Sequence, residues 1–150
     1  PSLRYTNYCI INEIEAGNTV NIPLRDEKNN LITENIREVL YKLKELGVKD
    51  WVIIHCPEGS FGFDGEKVYS IPSLRIKRED IMGTVGAGDA YASGVLYGIY
   101  KALSISDSMK LGTSAAASLL LSNIGARGIS VYDELVKMYE EYPKQNTIII

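Results

Sequence analysis

The chain has 150 residues, 45% of them hydrophobic, which is enough for one compact globular domain with a sizeable core and excludes a disordered segment. Its net charge is -3, with lysines and arginines scattered among acids, which excludes nucleic-acid binding by bulk electrostatics and favours a small-molecule ligand. No apolar run of transmembrane length and no metal-spaced Cys/His cluster is present, and no signal peptide is expected; Cys9 and Cys56 each sit inside an apolar run, as free thiols do in a reducing, cytoplasmic setting. The chain begins at Pro1 without an initiator Met, so a processed or truncated piece of something longer is expected.

Residues 7–11 read as a short buried strand, followed at once by the polar run 12–17. The carboxyl ends of buried parallel strands are where open α/β sheets place their ligand groups. Asn12 and Glu15, spaced Asn-x-x-Glu, can jointly hold a hydrated magnesium ion, which keeps several waters and takes few carboxylates; they can equally be a loop that caps a helix. Residues 18–30 are turn-rich and read as a surface loop. Thr33 is the expected N-cap of a helix over 34–46, with Ile36, Val39, Leu40, Leu43 and Leu46 on one stripe and Gly47 as its stop. A second buried strand follows over 51–56, and the order strand, helix, strand predicts a right-handed parallel crossover.

Next comes a loop over 57–62. Gly59 and Gly62 let the backbone approach a nucleotide phosphate or ribose, or simply turn the chain into the next hairpin. His55, the only histidine, is read as a strand residue before a catalyst. Residues 63–72 form a hairpin around Asp64-Gly65. Arg75, Lys77 and Arg78 lie in a mixed-charge connector that reads as solvated surface, with phosphate contact as the other option.

The stretch Gly83-Thr84-Val85-Gly86-Ala87-Gly88-Asp89 then runs without a break into a helical pattern over 90–100. Small residues before a helix leave the N–H groups of its first turn uncovered, and those amides carry partial positive charge. The result is an anion cradle, beside which Asp89 can take a proton from a hydroxyl that attacks a phosphoryl group. The plainer alternative is a tight turn followed by an acid that favours a helix N-terminus. Gly94 and Gly98, with Ala90, mark a helix face able to approach a sheet closely. Ser104 and Ser106 offer an N-cap for a helix to about residue 122, rich in small residues from Ser114 to Ser118. Residues 125–128 break the chain, Ser130 caps a last helix bearing Leu135, Met138, Tyr139 and Tyr142, and Pro143 ends it.

Taken in order, Asn12-x-x-Glu15, Pro57-Glu58-Gly59, Gly86-Ala87-Gly88-Asp89 and the small-residue helix ending in Gly125-Ala126 resemble the carboxyl-terminal half of the ribokinase-like (PfkB-type) carbohydrate kinases, over nearly all of the chain. The resemblance implies a three-layer α/β/α domain with a mostly parallel sheet, spanning residues 1–150, that binds ATP and Mg2+ and transfers the γ-phosphoryl group to a sugar or sugar-like hydroxyl. It implies Asp89 as catalytic base, the amides of Gly86, Ala87 and Gly88 as anion hole, and Asn12 and Glu15 as the motif that organises magnesium. Pro57, Glu58, Gly59 and Ser60 take the place of a nucleotide loop, Thr84 joins the nucleotide contacts, and Thr113, Ala116 and Ala117 border adenine. Gly83 stands where the family has an Asp near a monovalent-cation site, and His55-Cys56-Pro57 replaces the usual Thr-x-Gly. The family is about twice this length, so the amino-terminal half with sugar pocket and lid is expected to be absent, leaving an edge that pairs with that half or with a second copy. A nucleoside kinase of the same family, a non-catalytic nucleotide-binding module and a doubly wound domain for an unrelated small ligand remain as alternatives.

Overall fold

The computed structural model describes residues 2–150 without the side chains of Ala126 and Arg127, so the part of the expected break formed by those two side chains lies outside the described residues. The chain forms two compact units, Pro1–Ile71 with Thr147–Ile150, and Pro72–Asn146.

The first unit contains β1 (Tyr8–Asn12), α1 (Glu13–Val20), α2 (Ile36–Glu45), β2 (Trp51–Cys56), β3 (Gly59–Phe63) and all but the last residue of β4 (Val68–Pro72), with the sheet in the order β1-β2-β3-β4. β1 and β2 run parallel with Asn12 opposite His55, as the crossover predicts; β2 and β3 run antiparallel with His55 opposite Ser60. Because strand side chains alternate, Cys9, Val52, Ile54 and Phe61 share one sheet face. There they join Ile36, Val39, Leu40 and Leu43 of α2 in one core. Each such burial contributes about 1.5–3 kcal/mol. Leu46, expected on the same stripe, is exposed, because the helix ends at Glu45 and Gly47 turns the chain with φ 109°, where an added Cβ would come 2.7 Å from Arg4 Cα.

Three local expectations are corrected here. Part of the expected loop over 18–30 is helical: Asn12 caps α1, which runs to Val20 and stops at Asn21 in the left-handed region (φ 57°). Thr33 lies in a short 3-10 turn, Thr33–Asn35, with no side-chain cap, so α2 starts at Ile36. Of the expected loop over 57–62 only Pro57 and Glu58 remain as a turn, since the Cys56–Gly59 pair already closes a hairpin and places Gly59 and Ser60 in β3. The turn at Asp64-Gly65 is as expected, with the Asp64 carboxylate accepting from the N–H groups of Glu66 and Lys67 at 2.8 and 2.7 Å.

The second unit is built from α3 (Ala87–Tyr100), α4 (Ile105–Leu120) and α5 (Tyr132–Glu141). Ser104 caps α4, its Oγ accepting from Asp107 N–H at 3.1 Å. The small face of α3 meets a helix and not the expected sheet: a Cβ on Gly94 would lie 2.7 Å from Gly112 Cα, and one on Gly98 2.5 Å from Ser108 Oγ. Small residues on both partners let the two backbones approach this closely. Ser130 does not cap α5; Val131 holds that place, and the Ser130 N–H donates to Ser118 Oγ at 3.0 Å.

Candidate active site

In the second unit the glycine stretch forms an open turn at the head of α3. The Met82 N–H donates to the Leu120 carbonyl at 2.8 Å and fixes the entry, after which Val85 stands 92% exposed. Gly86 is the N-cap, at φ 84° and ψ 3°, a region a side chain enters only with strain. The Ala87 N–H closes onto the Thr84 carbonyl at 3.2 Å, and the first helical bond runs from Ala90 N–H to the Gly86 carbonyl at 2.8 Å. Among the described residues no main-chain carbonyl takes the N–H groups of Gly86, Gly88 or Asp89. Those donors sit at the positive end of a 14-residue helix. Asp89 lies in the first turn of that helix and is exposed, within three residues of the open amides. Thr84 is exposed in the same turn. Thr113 is buried, its hydroxyl donating to the Met109 carbonyl at 3.0 Å; Ala116 is half-buried and Ala117 buried.

In the first unit, Asn12 acts as a helix cap: its Oδ1 accepts from the Glu15 N–H at 2.8 Å. The Glu15 side chain is exposed. Beside them lies a cluster that the sequence reading missed, formed by Glu13, Arg25 and Glu58. The Arg25 guanidinium donates through Nε and Nη2 to Glu13 Oε1 at 3.0 and 2.8 Å. It donates through Nη1 and Nη2 to the two oxygens of Glu58 at 2.6 and 2.8 Å, and through Nη1 to the Asn29 carbonyl at 3.2 Å. The Arg25 side chain is 9% exposed and that of Glu13 11%. Glu58, expected in the nucleotide loop, is thus engaged within the protein, and the hydrogen bonds from Arg25 hold its carboxyl below the usual carboxylate range. Nothing in the local sequence around Arg25 announces this, because its carboxylate partners lie 12 and 33 residues away.

Ser60 is buried in β3 with its Oγ unpartnered among the described residues. Cys56, whose Sγ donates to the Gly59 carbonyl at 3.3 Å, has its thiol pushed up to about 12, first by burial and next by the Glu58 charge. Burial lowers the His55 pKa below 6.5, opposed by the charges of Glu13 and Glu15. The folded state therefore binds fewer protons at His55 than the unfolded chain, so its contribution to stability is present above 6.5 and lost as the pH falls through the depressed value. An NMR titration of the imidazole is expected to give a midpoint below 6.5, and a midpoint at or above it contradicts this account.

A bare-amide turn at a helix head in an α/β chain is an arrangement that can receive an anion. Residues 2–131 match the pfkB family carbohydrate kinase, and the chain belongs to that family. It is 29% identical over 105 residues to the 1-phosphofructokinase of Haemophilus influenzae, covering 69% of this chain and 33% of that protein. It is 39% identical over 80 residues to the 5-dehydro-2-deoxygluconokinase of Clostridium beijerinckii, covering 53% and 23%. The ribokinase of Thermotoga maritima superposes with a TM-score of 0.70 at 21% identity, over 93% of this chain and 43% of that one, which shows the ribokinase-like α/β fold. The chain spans a third or less of the length of these two curated relatives. Among the described residues no helix is long and apolar enough to cross a membrane, and no group of three or more His, Cys, Asp or Glu is placed to hold a metal.

Proposed function

We propose that the protein carrying this chain transfers the γ-phosphoryl group of ATP to a hydroxyl of a sugar or sugar-like acceptor, with the turn at residues 84–89 as the phosphate-binding and base element. The observation that carries this reading is an exposed acid, Asp89, in the same first turn as amides that no main-chain carbonyl claims. An oxyanion at that turn is assigned the N–H groups of Gly86, Gly88 and Asp89; Ala87 adds its own on release of the 3.2 Å bond to Thr84. Asp89 accepts the proton of the acceptor hydroxyl as its oxygen bonds to phosphorus and ADP departs. The amides stabilise charge developing on the transferred group, so the work of the protein is positioning and electrostatics.

Magnesium, when bound, neutralises nucleotide phosphate charge. The donor set that would hold it, the free carboxylate of Glu15 with the amide oxygen of Asn12 already accepting one hydrogen bond, suits a largely hydrated ion. Pro57 to Ser60 are assigned to the nucleotide side through their main chain, since the Glu58 carboxylate is engaged by Arg25. Thr113, Ala116 and Ala117 are assigned to the adenine border as a small-residue surface. The names of the relatives, both sugar kinases, support the acceptor class. The test is phosphoryl transfer from Mg-ATP to a sugar panel by the full-length protein and its Asp89→Asn variant. Transfer that the variant loses supports the reading; nucleotide binding without transfer in the wild type overturns it in favour of a binding module.

A further inference from the structure

The guanidinium of Arg25 has all five of its N–H directions occupied, and its acceptors come from three separate segments. Glu13 is the first residue of α1, one position after the capping Asn12 and two before Glu15. Glu58 is the second residue of the two-residue turn between β2 and β3. Asn29 lies in the same loop as Arg25 itself. A rigid planar fork that grips one carboxylate bidentately and another through two donors fixes both in distance and in orientation, which a flexible ammonium cannot do. The Arg25 side chain is 9% exposed and that of Glu13 11%, so this side of the grip is shielded from solvent, while the Glu58 side chain is 35% exposed.

We propose that Arg25 is a positioning residue for the nucleotide side of the site: it ties the 57–58 turn to the head of α1, and so sets the main chain of Pro57 to Ser60 in register with Asn12 and Glu15. This rests on the reading of those residues as nucleotide and magnesium contacts. Two carboxylates answered by one cation leave Glu15 as the carboxylate of this strand end that remains exposed and outside the ion cluster. Arg25 therefore also decides which acid faces the ligand.

The experiment uses the full-length protein with Arg25→Lys, Glu58→Gln and the double substitution, each confirmed folded by a cooperative thermal transition. Arg25→Lys keeps the charge and loses the fork, whereas Glu58→Gln keeps the shape and strands no buried charge, so at least one variant remains measurable. Either single variant is expected to raise the KM for Mg-ATP about tenfold, as loss of an outer-shell partner does. Turnover at saturation should fall by less than about threefold, because Asp89 is untouched. The double variant should add little to either single, the mark of one shared contact. A folded variant with unchanged nucleotide KM overturns the positioning role, as does an additive double. A wild type that binds no nucleotide overturns the functional reading itself, a result separable from the first two because it precedes any substitution.

Discussion

Asp89→Asn is expected to lower phosphoryl-transfer turnover in the full-length protein by about 10²–10⁴-fold, the range that removal of a general base produces. The substitution keeps side-chain size and removes only the charge and basicity. Its structural cost is small, because Asp89 is exposed and its pairing with the α3 dipole is worth about 0.3–1 kcal/mol. A loss of turnover on this scale therefore reports chemistry and not unfolding. ATP affinity should stay within about threefold of wild type, since the amides proposed to face the phosphates are main-chain groups the substitution leaves in place. Steady-state kinetics with a thermal melt on the same sample is the measurement. Retention of most of the activity would remove Asp89 from the role of base.

The second large effect is on stability. Arg25→Ala leaves the Glu13 carboxylate, 11% exposed, without its cation, and loss of one partner of a buried ion pair costs about 3–5 kcal/mol. Glu58 contributes less to the loss, because its side chain is 35% exposed and water can take over its solvation. The cost should therefore be largely repaired by adding Glu13→Gln, which removes the stranded charge, and much less by adding Glu58→Gln. Chemical denaturation of the three variants separates these cases. Equal rescue by both second substitutions would show that Glu13 is not the buried partner that matters.

What could be read from the chain in advance follows the range over which each signal acts. The α2 stripe, the β2 strand, the Asp64-Gly65 hairpin and the Ser104 cap are local: each is set by residues within about one helical turn or one strand pair, where spacing determines burial. The glycine turn was legible for the same reason, since the N-cap Gly86 and Asp89 of the first turn lie in one short stretch of sequence. Helix α1 was hidden because Gly17, Asn18 and Thr19 are weak helix formers, and its formation depends on the Asn12 cap and on Ala16 and Gly17 being packed. Gly94 and Gly98 announced a close approach but not its partner, which required knowing that Ser108 and Gly112 of α4 also lack bulk on the facing side. Arg25 lies 12 residues from Glu13 and 33 from Glu58, and no periodic pattern links such positions. The partner of the Glu58 carboxylate is therefore not visible in the sequence around residues 57–60.

The central claim, that the main chain at Gly86, Gly88 and Asp89 receives a phosphate, is tested most directly by following backbone amide resonances of the intact protein as Mg-ATP is added. Saturable shifts of those three amides, larger than that of Ala87 whose N–H begins bonded to Thr84, are the predicted result. Saturable binding elsewhere in the protein with these amide resonances unmoved would contradict it.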